Sequence, residues 1–154
     1  MADSRRELIL QAAAAALGAA GKPATLTVNR SRRPPDGPTG LPTASVWAGR
    51  PGGALDEEVT HQAKALLGKV QREFYFTVAL RRAVATAAPD QDLDLYSQWV
   101  VASVAALAEV GGIRIAVLEA GSKWVYAEAP DFEYLELLTI FRADYPTLRA
   151  DLTQ

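Results

Sequence analysis

The chain has 154 residues, with 16 basic residues against 18 acidic ones, and it contains no cysteine. This length is typical of one domain with a sizeable buried core. The absence of cysteine excludes disulfides and thiolate metal sites, and a net charge of −2 is too small for a surface-wide field that would recruit nucleic acid or anionic lipid. We therefore predict a single domain over residues 1–154, stabilised by packing and backbone pairing.

The N-terminal 20 residues begin with charges and then become rich in alanine, which fits neither a signal peptide nor a membrane span. Ser4 and Glu7 have the spacing of a capping box, which marks a helix start. Gly18 supplies a stop, so we predict a helix to about Leu17. Its predicted packing face is narrow and consists of Leu8, Ala12, Ala15 and Ala16.

Two short segments, 24–29 and 43–48, alternate apolar and polar residues, which predicts strands. The connections near 30–40 and 49–58 are rich in proline and glycine. Such segments cannot complete a strand ladder, so we predict mobile, exposed loops there. The pattern of 59–69 fits either a loop or a short helix.

The clearest strand pattern is 72–84, where Phe74, Phe76, Val78 and Leu80 fall on one face. Acidic residues after Pro89 then favour a helix start, and we predict a second helix that ends at the glycine pair 111–112. Strands are predicted at 113–119 and 132–142, separated by a polar, hairpin-like segment at 121–130. The structured region is expected to end at Pro146.

The predicted order is helix, three strands, helix, two strands. Several strands are joined by connections too short for a parallel crossover. The sequence therefore predicts an α+β fold, with a mostly antiparallel sheet and two main helices packed on one face.

Catalytic and metal-binding patterns fail when they are tested one by one. His61 is the only histidine, and neither a cysteine nucleophile nor a Gly-x-Ser-x-Gly turn accompanies it. Asp90, Asp92 and Asp94 imitate the start of an EF-hand loop, but Leu95 stands where that loop needs glycine. We interpret the three acids as helix-start residues. We predict no enzymatic activity, no metal site and no cofactor.

A basic run lies in the first predicted loop. Arg30, Arg32 and Arg33, with Arg50 in the second loop, could line a lumen or touch phosphates. No aromatic residue is interleaved for base stacking, which favours the alternative of a solvated loop.

The last predicted strand is apolar on both faces. We expect Leu135, Leu137 and Phe141 on one face to be candidates for a subunit interface, while Tyr134, Leu138 and Ile140 occupy the other. The alternative is that a loop of the same chain covers the second face.

The order of these segments resembles the tail terminator family of long-tailed phages and phage-like particles. The resemblance is carried by the capped first helix, the basic proline-rich loop and four segments. They read LPTASVWAGRPGG, REFYFTVALRRAV, DQDLDLYSQWVVASVAALAEV and FEYLELLTIFRADY. The resemblance spans about residues 5–145. These are patterns of a fold and contain no catalytic signature.

The resemblance implies a structural protein of the virion tail, assembled in the cytoplasm of a bacterial host. In this family the subunit forms a ring, usually a hexamer, that caps the tube of major tail protein, stops its polymerisation and offers the surface for joining the head. The implied partners are copies of the chain itself, the tube protein and head-tail connector or neck proteins. DNA only passes through the lumen, and no membrane is involved.

Two alternatives remain at this stage. A head-tail connector or neck subunit would share the fold and the ring. A small nucleic-acid-binding module belongs to a different class and would need a broader basic face than the arginine run provides.

Overall fold

The computed structural model describes residues 5–19, 22–23, 26–30, 41–51, 58–61, 69–85, 88–129 and 131–148, and the side chains at 58–61, 69–70 and 147–148 are left undescribed. The helices are α1 (Arg5–Leu17) and α2 (Pro89–Ala105). The first four strands are β1 (Thr27–Asn29), β2 (Thr43–Ala48), β3 (Glu58–His61) and β4 (Lys69–Ala83). The other four are β5 (Glu109–Val110), β6 (Ile113–Arg114), β7 (Ala116–Ala129) and β8 (Phe132–Leu148).

One six-stranded sheet organises the chain, with the order β1-β2-β4-β8-β7 and with β3 also pairing with β4. Only the β1–β2 pair is parallel, and the other ladders are antiparallel. The sheet therefore ends in two different edges, a three-residue β1 and a 14-residue β7. The predicted α+β class with a mostly antiparallel sheet is confirmed.

The main core lies between the sheet and the two helices. Phe74, Phe76, Val78 and Leu80 alternate along β4 and are fully buried on this side. The Phe76 and Phe141 rings stack across the β4–β8 ladder, with centroids 5.4 Å apart. Burial of such large side chains is worth roughly 1.5–3 kcal/mol each relative to exposure, so this face supplies most of the driving force for folding.

The opposite sheet face holds a smaller cluster made of Trp47, Ala79 and Leu138, with Val125 packed beside it. These residues alternate with the core residues of their strands. Trp47 and Leu138 are buried within the single chain. The sheet consequently has one thick apolar layer and one thin one.

The strand predicted at 43–48 is confirmed as β2, and the strong pattern at 72–84 is confirmed within β4. The first strand is shorter than predicted and begins at Thr27. The segment predicted as loop or short helix starts with β3, which pairs antiparallel with β4. That prediction was wrong for 59–61, because pairing with the long β4 decides the conformation of a segment whose own pattern is ambiguous. Most of the two predicted loops, 31–40 and 52–57, lies outside the described residues.

The glycine pair does not end the second helix. α2 ends at Ala105, and Gly111 and Gly112 form the turn of the β5–β6 hairpin with φ angles of 58° and 78°. Two successive residues with positive φ are what a two-residue hairpin turn requires, and Gly-Gly adopts them without steric cost. The pair therefore marks a hairpin instead of a helix stop.

The polar segment predicted to separate the last two strands is itself strand. β7 runs without interruption through 121–129, with a bulge between Glu119 and Gly121 that accommodates one extra residue. β8 likewise continues past Pro146 to Leu148. Proline is tolerated there because the β7–β8 ladder ends at Ala116, opposite Asp144, so that no described strand pairs with that side of β8 at Pro146.

The first helix packs through a different face from the one predicted. Its buried residues are Ile9, Leu10, Ala13 and Leu17, whereas Ala15 is exposed. A run of alanines offers similar residues all around the helix, so the larger Ile9, Leu10 and Leu17 decide which side turns to the sheet.

Two buried threonines on neighbouring strands give a matched test of the core. Thr139 lies on the helix side, and its hydroxyl has no hydrogen-bond partner among the described residues. Thr139→Val removes this unpaired group, so we expect the free energy of unfolding to rise by about 1 kcal/mol, measured by urea denaturation.

Thr77→Val is the matched control. The Thr77 hydroxyl donates to the Gly49 carbonyl at 2.8 Å, and the side chain is buried. Losing this bond should lower the free energy of unfolding by about 1 kcal/mol. Equal changes in the two variants would contradict the assignment of Thr139 as an unpaired core hydroxyl.

Candidate interaction surfaces

The residues expected to form an interface in the last strand belong to the core. Leu137 and Phe141 are buried beneath the helices, and Leu135 is partly buried against them. On the other face, Tyr134 and Leu138 are buried as well. A partner surface therefore has to be sought among the side chains that stay exposed.

The predicted basic cluster is only partly described. Arg30 follows β1 directly, and its guanidinium forms an ion pair with Glu7 of α1, including an Nη2 to Oε2 bond of 3.2 Å. The Arg30 guanidinium holds the pKa of the Glu7 carboxyl below its usual value. Arg50 stacks over the Tyr75 ring at 4.3 Å. Arg32 and Arg33 lie outside the described residues, and the two described arginines, Arg30 and Arg50, contact different partners.

A chain of polar groups crosses the thinly covered sheet face. Arg81 is buried and pairs with Glu136 across the β4–β8 ladder. Its Nη1 also lies 3.4 Å from the Ser45 hydroxyl, which in turn donates to Asn29 Oδ1 at 2.7 Å. Trp47 lies beneath the guanidinium, with 5.4 Å to the ring centroid. These bonds connect β1, β2, β4 and β8 and fix their order.

The largest exposed apolar residues concentrate on the edge strand β7. Leu118 is 50 % exposed, Trp124 46 % and Tyr126 54 %, and among the described residues only Leu95 joins them as an exposed large hydrophobic residue. Trp124 and Tyr126 pair with Leu137 and Leu135 of β8, so their side chains lie on the helix side of the sheet. The outer edge of β7 has no partner strand in the described part of the chain. Exposed aromatic residues along an unpaired edge are typical of a surface that meets another chain.

The end of the β7–β8 hairpin is acidic. Glu128 and Glu133 stand directly opposite each other in the ladder, and Asp131 lies in the turn between the strands. With Ala83 to Ala85 and Phe132 they line an open depression of about 640 Å³. Like charges at directly opposed positions are unfavourable in an isolated sheet.

Tyr126 is oriented by this acidic end. Its hydroxyl donates to the Glu133 carboxylate, which raises the pKa of Tyr126 to about 12. The bond holds an exposed aromatic side chain in one direction and uses Glu133 as the acceptor. The aromatic and acidic parts of the hairpin are therefore one connected surface.

Within the described ranges, no group of three or more histidine, cysteine or acidic side chains is placed to hold a metal ion. The two described helices are also too short or too polar to cross a membrane.

The Arg81–Glu136 pair allows a test of the polar chain on the sheet face. Glu136→Leu leaves a buried, uncompensated guanidinium, so we expect the free energy of unfolding to fall by about 3–5 kcal/mol. Arg81→Met combined with Glu136→Leu should recover most of that loss, as read from chemical denaturation. The control breaks the more exposed ion pair between Arg82 Nε and Asp92 Oδ2, which lie 3.1 Å apart. Its loss should lower the free energy of unfolding by at most about 1 kcal/mol. Additive losses at Arg81 and Glu136 would contradict their coupling.

Titration tests the orientation of Tyr126. The ¹³Cζ signal assigned by comparison with Tyr126→Phe should titrate near 12, and Glu133→Gln should move its midpoint down toward the value of 10.0 for an unperturbed tyrosine. Circular dichroism at each pH confirms that the chain stays folded. A midpoint that Glu133→Gln leaves unchanged would refute the bond.

No family model and no curated protein sequence matches the chain. Among solved structures, it is similar to a chain of the virion of a native gene transfer agent particle. That similarity has a TM-score of 0.49 and 16% sequence identity, and it covers 92% of each chain. A similarity of this extent defines no function, which has to be argued from the surfaces of the chain itself.

Proposed function

We propose that the chain is a structural subunit of a phage-like particle, which forms a ring on the end of a tail tube, stops the growth of the tube and offers a joining surface for the head. The observation that carries the proposal is the exposed, aromatic edge of β7 at one end of a sheet whose other end is different. A subunit with two unlike edges can make one contact repeatedly, head to tail, and close into a ring.

The sequence resemblance to tail terminators supports the same function. The segments that carry it form the structural frame of the chain: β2 with its following turn, β4, α2 and β8. The family's usual ring is a hexamer, which we adopt as the proposed stoichiometry. The proposal also includes the tube protein and neck proteins as partners, a place in the virion tail and a non-enzymatic role.

A capping function follows from the geometry of repetition. A tube of identical rings can keep growing because each added ring recreates the surface to which the next one binds. Growth stops when a different ring binds that surface without recreating it. A closed ring of this chain, with helices on one face of its sheet and only a thin layer of apolar and polar side chains on the other, would present two unlike faces.

Particles that lack the protein provide the test. We expect tails of variable and excessive length that carry no heads, whereas purified protein added to growing tubes should stop their elongation. Tail lengths measured on electron micrographs decide the outcome. A deletion that gives tails of normal length, merely detached from heads, would refute the capping role and favour the connector or neck alternative.

A further inference from the structure

The two ends of the sheet fit each other in strand direction. β2 and β8 run opposite to β4, β1 runs parallel to β2, and β7 runs opposite to β8. β1 and β7 therefore point in opposite directions. If the sheet of one subunit continues into the sheet of the next, β7 meets the neighbour's β1 as an antiparallel pair, which is the better of the two pairing geometries.

The two ends also differ in charge. β7, the turn after it and the first residues of β8 carry Glu119, Lys123, Glu128, Asp131 and Glu133, four acids against one base. The charged residues among those described next to β1 are Lys22 and Arg30, both basic, and Arg30 forms an ion pair with Glu7 of α1. Contact between unlike ends brings opposite charges together, whereas contact between two β7 edges would bring the acidic segment against itself.

The β1 end offers space for the aromatic side chains. Glu7 faces Arg30 beside β1, and Gln11 is bonded to Glu7 one helical turn later. Residues at this spacing continue the same stripe of α1 through Ala15 and Gly18, both of which are exposed. This stripe, which is small only at Ala15 and at Gly18 just after α1, lies on the helix side of the sheet. Trp124 and Tyr126 stand out from β7 on the same side.

Resting on the proposed ring function, we infer that the β7 edge of one subunit docks against β1 and α1 of a second copy, with Trp124 and Tyr126 lying over the stripe formed by Gln11, Ala15 and Gly18. The contact is heterologous, so each subunit uses its β7 edge once and its α1–β1 side once. Both surfaces are fully used only when the ring closes.

Site-directed cross-linking tests this contact cleanly because the chain has no cysteine of its own. One protein carries Ala15→Cys and a second carries Ser122→Cys, an exposed position on the same face of β7 as Trp124 that leaves both aromatic residues in place. The two are treated with a short bismaleimide, alone and mixed, in solution and on tail tubes. We expect a covalent dimer in the mixture only. One chain that carries both cysteines should give a ladder of higher oligomers. The control pairs Ala15→Cys with Gln98→Cys, an exposed position on the outer side of α2, and should remain uncrosslinked.

Each other outcome overturns the inference in a distinct way. A dimer of Ser122→Cys alone would mean that β7 pairs with β7. An assembly that forms on tubes but gives no cross-link in the mixture would leave the capping function standing and place the contact elsewhere. A chain that neither associates nor binds tubes would contradict the proposed function together with this contact.

Truncation of the aromatic residues gives a second measurement that does not need cysteines. Trp124→Ala and Tyr126→Ala should each weaken self-association at least tenfold in sedimentation, because aromatic anchors carry much of the energy of such contacts. Both residues are exposed, so circular dichroism of the variants should match the parent. Gln98→Ala is the control with unchanged association. Unchanged association of both aromatic variants would overturn the role assigned to β7.

Discussion

The antiparallel ladder between β4 and β8 is the interaction on which the rest of the structure depends. All 15 residues of β4 pair with β8, and the stacked Phe76 and Phe141 rings lie in the middle of the ladder. β2, β3 and β7 each attach to one of these two strands, α2 packs over both of them, and α1 packs over β2 and β1 beside α2. Because the β4–β8 ladder is long, the β7–β8 hairpin extends to an acidic end, near which Trp124 and Tyr126 are exposed.

This central position determines which surfaces remain for partners. The apolar residues of β8 are used on both faces within the single chain, by the helices on one side and by the Trp47 and Arg81 layer on the other. Among the described residues, the exposed surface includes the outer side of α2, the edge of β7 and the side of α1 next to β1, and most of the exposed large apolar side chains lie on β7. A subunit whose faces are already covered and whose edges differ is suited to side-by-side assembly, which is the geometry of a ring.

The sequence predicted the elements whose pattern is set by burial on one face. Alternation identified β2 and β4, and the acidic start identified α2. The prediction failed where pairing with a neighbouring strand determines the conformation. β3 takes its conformation from β4, and the polar residues of 121–129 form a strand because they pair with β8. Leu137 and Phe141, predicted as interface candidates, are buried within the single chain, because periodicity does not show which apolar face the chain itself covers. The exposed edge on which Trp124 lies could be recognised only from the strand order, which places β7 at the end of the sheet.

The mass of the assembly tests the central claim most directly, namely that unlike edges of one subunit close into a ring. Native mass spectrometry of the purified protein, free and released from capped tube ends, should give a single closed oligomer, a hexamer if the family's stoichiometry holds. Monomers in both samples, or dimers that never grow further, would contradict the account.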